Sequence, residues 1–580
     1  MDWTRLSLLA VLISVAGCGP PGGGTVVRMI DGRPQASRYV SPGAYQHYIK
    51  AQVLLDREQL RQAAEELERA LMFDPRSPYL HTRLAEVQAR LGDDSGALDH
   101  LGRALKRRPG FADALLLRGK VLWRLEQRVQ ARAALQRCVE LNPRHVPCHL
   151  ALVALLERSG QQRQARPLLL GLLRRVPDSR DAHRRLARVC LGQVDYACVA
   201  RHLGLALQQG WDLETLMELA HAHRALGHRE RTAHLLREAF DRSGGSLQVA
   251  APLLEALELL GKHQAMDDLL QLLERAAWGA EDKLLQLLEL ALHVRRPAFA
   301  GALARRLMSG TSGRDNPLLL VLRAEAQIQQ GRSVRGQALV RGLLKRKLDE
   351  RSALRLAGVL ERQGMHAESA RMLGQAIARL GQRPELVLAR SRALLMQGRH
   401  REAEQVLSRA MAELGPRRQL QLALAVALER AGKWREAIRL MQRRLKQKPD
   451  DAGAHNFIGF TLVVHGGDLG LAERHLRAAL FLQPGQGHII DSLGWLTYRQ
   501  GHPARARTLL QVALRLSPRD PEVLEHLARV NAALKQPDRA VRLLRQAAAE
   551  STDPRITERV KRRLGELERA RVGNARGAGD

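Results

Sequence analysis

Aromatic residues are scarce. Six tryptophans, six tyrosines and seven phenylalanines make up 3% of 580 residues. A core of stacked rings is therefore excluded, and burial must rest on aliphatic side chains. Hydrophobic residues still reach 45%. Leu and Ala dominate them, and Arg, Gln and Glu fill much of the remainder, all strong helix formers. No alternating, β-branched segment of strand type stands out. The composition thus points to an all-α chain. Recognisable chemistry is also missing. There is no phosphate-cradling glycine loop, no His-Glu-x-x-His helix and no nucleophile elbow. An enzymatic activity is not expected, nor is a cofactor.

Negative charge is in deficit. Lys and Arg number 93 against 60 Asp and Glu, for a net charge of +33. One reading is solvated helix faces rich in Arg. The other is attraction to an anionic partner. The pairs Arg174-Arg175, Arg184-Arg185, Arg305-Arg306 and Arg443-Arg444 are spread along the chain, so charge alone locates no site.

What is present is self-similarity with a period of about 34 residues. Ala51, Ala63, Ala70 and Pro75 recur as Ala85, Ala97, Ala104 and Pro109, then as Gly119, Ala131, Cys138 and Pro143. Small residues at these spacings let two helices pack closely. Glycine separates the two helices at Gly92, Gly160, Gly227, Gly364, Gly398, Gly432 and Gly501, where a left-handed turn ends a helix. These marks resemble the tetratricopeptide repeat family, over nearly all of residues 44–549. The resemblance implies a right-handed superhelical solenoid of helix-turn-helix repeats, about fifteen in number. Repeats in 247–347 are degenerate, and Ser309 to Asn316 reads as a break. That segment is a candidate hinge between arrays at 44–246 and 348–550, or simple divergence. Residues 551–580 read as a capping helix from Pro554 to Ala570 and a disordered tail.

The amino terminus reads as an address. Leu6 to Ala16 is apolar and too short to span a bilayer, but suits a signal peptide over residues 1–17. Val15-Ala16-Gly17-Cys18 resembles the bacterial lipobox, which implies lipid on Cys18. The Gly-Pro-rich stretch from Gly19 to Gly24 reads as part of a flexible tether over 18–43. Gly19 in place of aspartate implies, by resemblance to Gram-negative lipoproteins, the outer membrane facing the periplasm. The pairing of Asn456-Phe457-Ile458-Gly459-Phe460 with Ile490-Asp491-Ser492-Leu493-Gly494-Trp495 is similar to a group of proteobacterial outer-membrane repeat proteins.

Four further cysteines remain. Cys138 and Cys148 flank one inter-repeat turn, and Cys190 and Cys198 flank one helix-helix turn. Each pair is placed to bridge in an oxidising compartment, or to fill alanine-sized packing sites as thiols. Cys138, His145, Cys148 and His149 fit no usual zinc spacing, so no metal is expected. His221 and His223 face apart on one helix.

In the repeat family the first helix of each unit lines a concave groove. Phe460 and Trp495 occupy the same position in adjacent units, and Tyr498 lies one turn beyond. Asn456, His488, Asp491 and Arg499 surround them, and Arg529 follows in the next unit. These eight residues are the candidate peptide-binding site, because aromatics beside polar groups make binding hot spots. Packing between repeats is the competing reading. Tyr39, Tyr45 and Tyr48 read as a cover for the exposed first edge. The function expected is a membrane-tethered scaffold for protein or peptide partners. An anionic envelope polymer is the alternative ligand, and nucleic acid is not expected.

Overall fold

The computed structural model describes residues 25–30, 33–38, 41–159, 161, 164–309 and 315–576. The leader, Cys18, Tyr39, Gly160, most of the expected break at 309–316 and the last four residues lie outside them. Thirty-one helices follow one another from α1 (Pro42–Asp56) to α31 (Pro554–Arg576). An antiparallel hairpin of β1 (Thr25–Ile30) and β2 (Arg33–Arg38) precedes them, with Ile30 opposite Arg33. This hairpin replaces the tether expected over that part of 18–43. Its sequence signal is Val26-Val27 followed by Asp31-Gly32, a pair that favours a two-residue hairpin turn.

Consecutive helices pair, α1 with α2 (Leu60–Phe73) and so on along the chain. Small residues at the crossings make each pair tight. Ala51 on α1 and Ala63 and Ala70 on α2 are fully buried. The same holds for Ala85 on α3 (Pro78–Leu91) and for Ala97 and Ala104 on α4 (Asp94–Arg107). At Gly119 of α5 (Ala112–Arg124) even a methyl group is too much. A Cβ there would sit 2.5 Å from Leu135 of α6 (Arg128–Leu141).

The turn between the two helices of a repeat recurrently places a residue in the left-handed region. Gly92, Gly227, Gly364, Gly398, Gly432 and Gly501 all have φ between 72° and 87°. The same turn is made by Glu58, Glu126, Val194, Arg295 and Lys535, with φ of 56–59°. An L-residue in this region costs about 1–2 kcal/mol, so the geometry of the pair overrides local preference.

By compactness the chain forms two units, the first ending at Val176 and the second beginning at Pro177. The first ends with α8 (Ala165–Leu173), a helix of nine residues. The segment 247–347, read as a candidate hinge, lies inside the second unit. Its helices keep the same pairing, from α13 (Leu247–Leu259) onward. Within each unit, first helices of neighbouring repeats touch one another, as α3 touches α5, and so form an inner layer. In the second unit the late repeats return to the early ones. Here α11 (Leu213–Leu226) packs on α28 (Pro503–Leu516). Arg515 donates to the Ala225 carbonyl, Arg519 pairs with Glu258, and Arg430 pairs with Asp553 at 2.9 Å. The final helix α31 buries Val560 against Leu524 and Leu544. It stays helical through Arg576, which corrects the disordered tail expected over 571–576. Extending an already nucleated helix adds one hydrogen bond per residue fixed, so it can continue through Gly573 and Asn574 despite their low propensity.

The left-handed turns generate a test. Lys535→Gly should stabilise the protein by about 0.5–1 kcal/mol, because glycine removes the strain at some cost in unfolded-state entropy. Thermal melts beside wild type measure it, and a lowered melting temperature would contradict the strain argument.

Candidate functional site

The candidate groove residues lie on first helices of three successive repeats: α25 (Ala452–Val464), α27 (Gly487–Arg499) and α29 (Pro521–Ala533). The inner layer brings five of them together around Trp495, but the ring is only 3% exposed. Tyr498 stacks on it with centroids 5.1 Å apart. From α29, the His526 imidazole lies parallel to it at 4.4 Å, and the Arg529 guanidinium sits 4.5 Å from the ring centre. Phe460 approaches His526 at 6.1 Å. Trp495 is therefore an inter-repeat packing residue, which corrects its placement as an open groove anchor. The reason is that the next repeat supplies His526 and Arg529 as a cover.

Asp491 is likewise buried. Both its carboxylate oxygens lie 3.0 Å from His526 Nδ1, which donates to them. Burial opposes a charge on His526, but Asp491, Glu522 and Glu525 outweigh it and raise its pKa. Glu525, fully buried, takes Arg559 at 2.6 Å and Arg563 at 3.5 Å from α31. Buried charge is thus paired across three helices, as the cost of burial requires. The remaining candidates are dispersed. His488 and Arg499 are exposed, Arg499 donating to the Val463 carbonyl at 3.0 Å, and Asn456 is half-buried. His526 was not found by sequence reading. Its signal is a histidine one repeat after Asp491 on the same helix face.

A second polar device recurs in three repeats. His81, His183 and His455 each stand in the first turn of a first helix. Each Nε2 donates to the carbonyl of the linker proline, Pro75, Pro177 or Pro449, at 2.8–3.0 Å. Each Nδ1 meets Nδ1 of a histidine on the second helix, His100, His202 or His475, at 2.9 Å. A carbonyl can only accept, so Nε2 of the first ring carries the proton in the neutral pair. Its Nδ1 then accepts, and the second ring donates from Nδ1. Two charged rings would set two N–H groups against each other.

The cysteines form Cys138–Cys148 and Cys190–Cys198 disulfides, each with Cα atoms 6.0 Å apart. The first ties α6 to α7 (Val146–Arg158), the second α9 (Arg180–Leu191) to α10 (Tyr196–Gln208). His145 and Asp195 each stand near one bridge, but bonded sulfurs are not the thiolates that a metal needs. His221 packs near Tyr196 while His223 bonds His228 at 3.0 Å. At the first edge Tyr45 is 60% exposed, and Tyr48 hydrogen-bonds Tyr79 at 2.7 Å.

Paired helices, small-residue crossings and left-handed turns define a helical repeat protein of the helix-turn-helix kind. Family models described as tetratricopeptide repeat match residues 54–121 and 498–560, 112–145, 150–197 and 354–417, and 418–459. The chain belongs to the tetratricopeptide repeat (TPR) family. It is 40% identical over 83 residues to the TPR repeat-containing protein PA4667 of Pseudomonas aeruginosa, a match spanning 14% of each chain. Among solved structures, yeast Tom70 is 14% identical, covering 91% of this chain and 96% of that one, with a TM-score of 0.33. PilW, described as a type IV pilus biogenesis factor, is 18% identical over 37% of this chain and 99% of that one, at 0.31.

Two predictions follow from the buried groups. Trp495→Ala should cost about 3–5 kcal/mol of stability, as removal of a buried ring does; circular dichroism melts measure it. His81, His100 and His475 make the fold acid-labile. Burial, the chief cause, lowers the pKa of His81 and His100 and takes His475 down to about 4. The unfolded chain titrates near 6.5, so it binds protons that the folded pair refuses. Stability should then fall as pH drops from about 6.5 toward 4. In His475→Gln that pH dependence should be shallower, as read by melts at several pH values.

Proposed function

We propose that this TPR protein is a membrane-tethered scaffold that gathers protein or peptide partners in the bacterial cell envelope. TPR proteins typically act as protein-binding scaffolds. The observation that carries the reading is the layer of touching first helices within each unit, from α3 to α7 and from α15 (Glu281–His293) to α29. Such surfaces bind extended segments or helices of other chains. Tethering rests on the sequence from Leu6 to Cys18 and on its resemblance to the lipobox. Among the described residues, no helix is long and apolar enough to cross a membrane. Lipid on Cys18 would supply anchorage, each buried methylene adding about 0.8 kcal/mol.

The accessible part of the inner layer near the carboxyl end is the rim of the buried network: Tyr498, His488, Arg499 and Arg529. The tryptophan stiffens this rim rather than contacting a partner. Cys18→Ser tests the anchor. Wild type should incorporate labelled palmitate and be processed, and the variant should lose the label and accumulate as the longer precursor, whereas no palmitate label in wild type would refute the lipid tether. Crosslinked pull-down from intact envelopes, repeated at rising salt, tests the ligand. Protein capture that persists in salt is expected. Capture of acidic polysaccharide that collapses with salt would favour the charge-driven alternative instead.

A further inference from the structure

Where α11 meets α28 in the second unit, a cleft of about 430 Å³ opens between early and late repeats. That is within the size range of small-molecule sites. Leu236 of α12 (Arg229–Arg242), Pro252, Ala256 and Leu259 of α13, and Leu514 of α28 give it an apolar lining. Pro252, inside α13, adds a rigid apolar surface.

Three guanidinium groups line the same cleft, Arg224, Arg229 and Arg515, and two of them lack an acidic partner. Arg515 donates Nε–H to the Ala225 carbonyl, and Arg229 donates to the Leu259 carbonyl at 3.3 Å. Neither makes an ion pair among the described residues. Burial alone depresses Arg515, with no acidic group acting on it. Arg224, the third, is different, because Glu255 neutralises it at 3.1 Å. Glu258, the other nearby acid, is taken by Arg519. Two cationic charges thus remain uncompensated beside an apolar wall. In this protein partly buried charge elsewhere is repeatedly matched, as at Glu325 with Arg355 and Arg362. For Arg515, which is partly buried, the lack of a counter-charge is costly, and Arg229 on the exposed rim adds a second positive charge at the mouth.

We propose that this cleft binds an amphipathic anion: a carboxylate or phosphate head held by Arg229 and Arg515, with an alkyl chain on the Pro252–Leu514 wall. The site does not rest on the scaffold reading. A bound molecule would touch α12, α13 and α28 together, and so would stabilise the contact between early and late repeats.

The experiment uses the full chain and three probes below their micelle concentrations: dodecanoate, dodecyl phosphate and dodecanol. Calorimetry should show one saturable site for at least one of the two anions, and that anion should raise the melting temperature. Dodecanol should bind at least tenfold more weakly. The tighter of dodecanoate and dodecyl phosphate identifies the head group. Arg229→Gln, on the exposed rim, should weaken the anion at least tenfold while leaving dodecanol unchanged. Arg515→Met should do the same, and Arg229→Gln keeps the test open if that variant loosens the α11–α28 contact. Ala256→Trp should fill the cleft and abolish binding of all three. Equal binding of anion and alcohol, unchanged affinity in the Arg229 variant, or no saturable binding of either anion would overturn the proposal.

Discussion

Everything in this molecule depends on how closely two helices can cross. Alanine or glycine at the crossing brings backbones near enough for the leucines of one helix to reach across the other. At Gly459 and Gly494 a Cβ would come within 2.6 and 2.8 Å of Leu476 and Leu510, as at Gly119. Dispersion between packed atoms is small per pair and large in sum, so close crossing matters more than residue hydrophobicity. A bulky ring at the crossing would force the pair apart, which fits the scarcity of aromatic residues; Trp495 is accommodated at an inter-repeat position instead.

Once the pair is fixed, its turn is fixed too. Glutamate, arginine, lysine and even valine adopt the left-handed conformation that glycine adopts elsewhere. Charge then enters as a fastening between neighbouring pairs. Glu325 is buried beneath Arg355 and Arg362, and Asp451 lies between Arg418 and Arg444. Part of the large excess of arginine is therefore structural, holding one repeat on the next.

The repeat architecture was legible because period, small residues and turn glycines all report local geometry. Positions such as Ala85, Ala97 and Gly92 have one physical role each, and a single sequence shows it many times over. The hairpin at 25–38 was missed although Asp31-Gly32 signalled it, because the glycine-rich stretch before it dominated the reading. The aromatic network was half legible. Equivalent repeat positions placed Phe460, Trp495 and Tyr498 on one face, and they do converge. Their burial was not legible, because it depends on His526 and Arg529 from the following unit. Exposure in a solenoid is decided by the neighbour, and periodicity describes only the unit itself. The histidine pairs were hidden for the same reason: His81 and His100 acquire meaning only across a helix pair.

The meeting of α11 with α28 changes how the second unit must assemble. A simple solenoid has only neighbour contacts, so each repeat can settle as soon as the previous one exists. Here Arg515 reaches a carbonyl 290 residues earlier in the chain. Closing a loop of that length costs about 5 kcal/mol in entropy if the chain between is unstructured. Stacking the intervening repeats first removes most of that cost, since the ends are then carried together by rigid bodies. During synthesis the early edge, with Ala225 and Glu258, is finished long before its counterpart emerges. The seam therefore waits for every repeat from α11 to α28, and only a correctly pitched stack can form it.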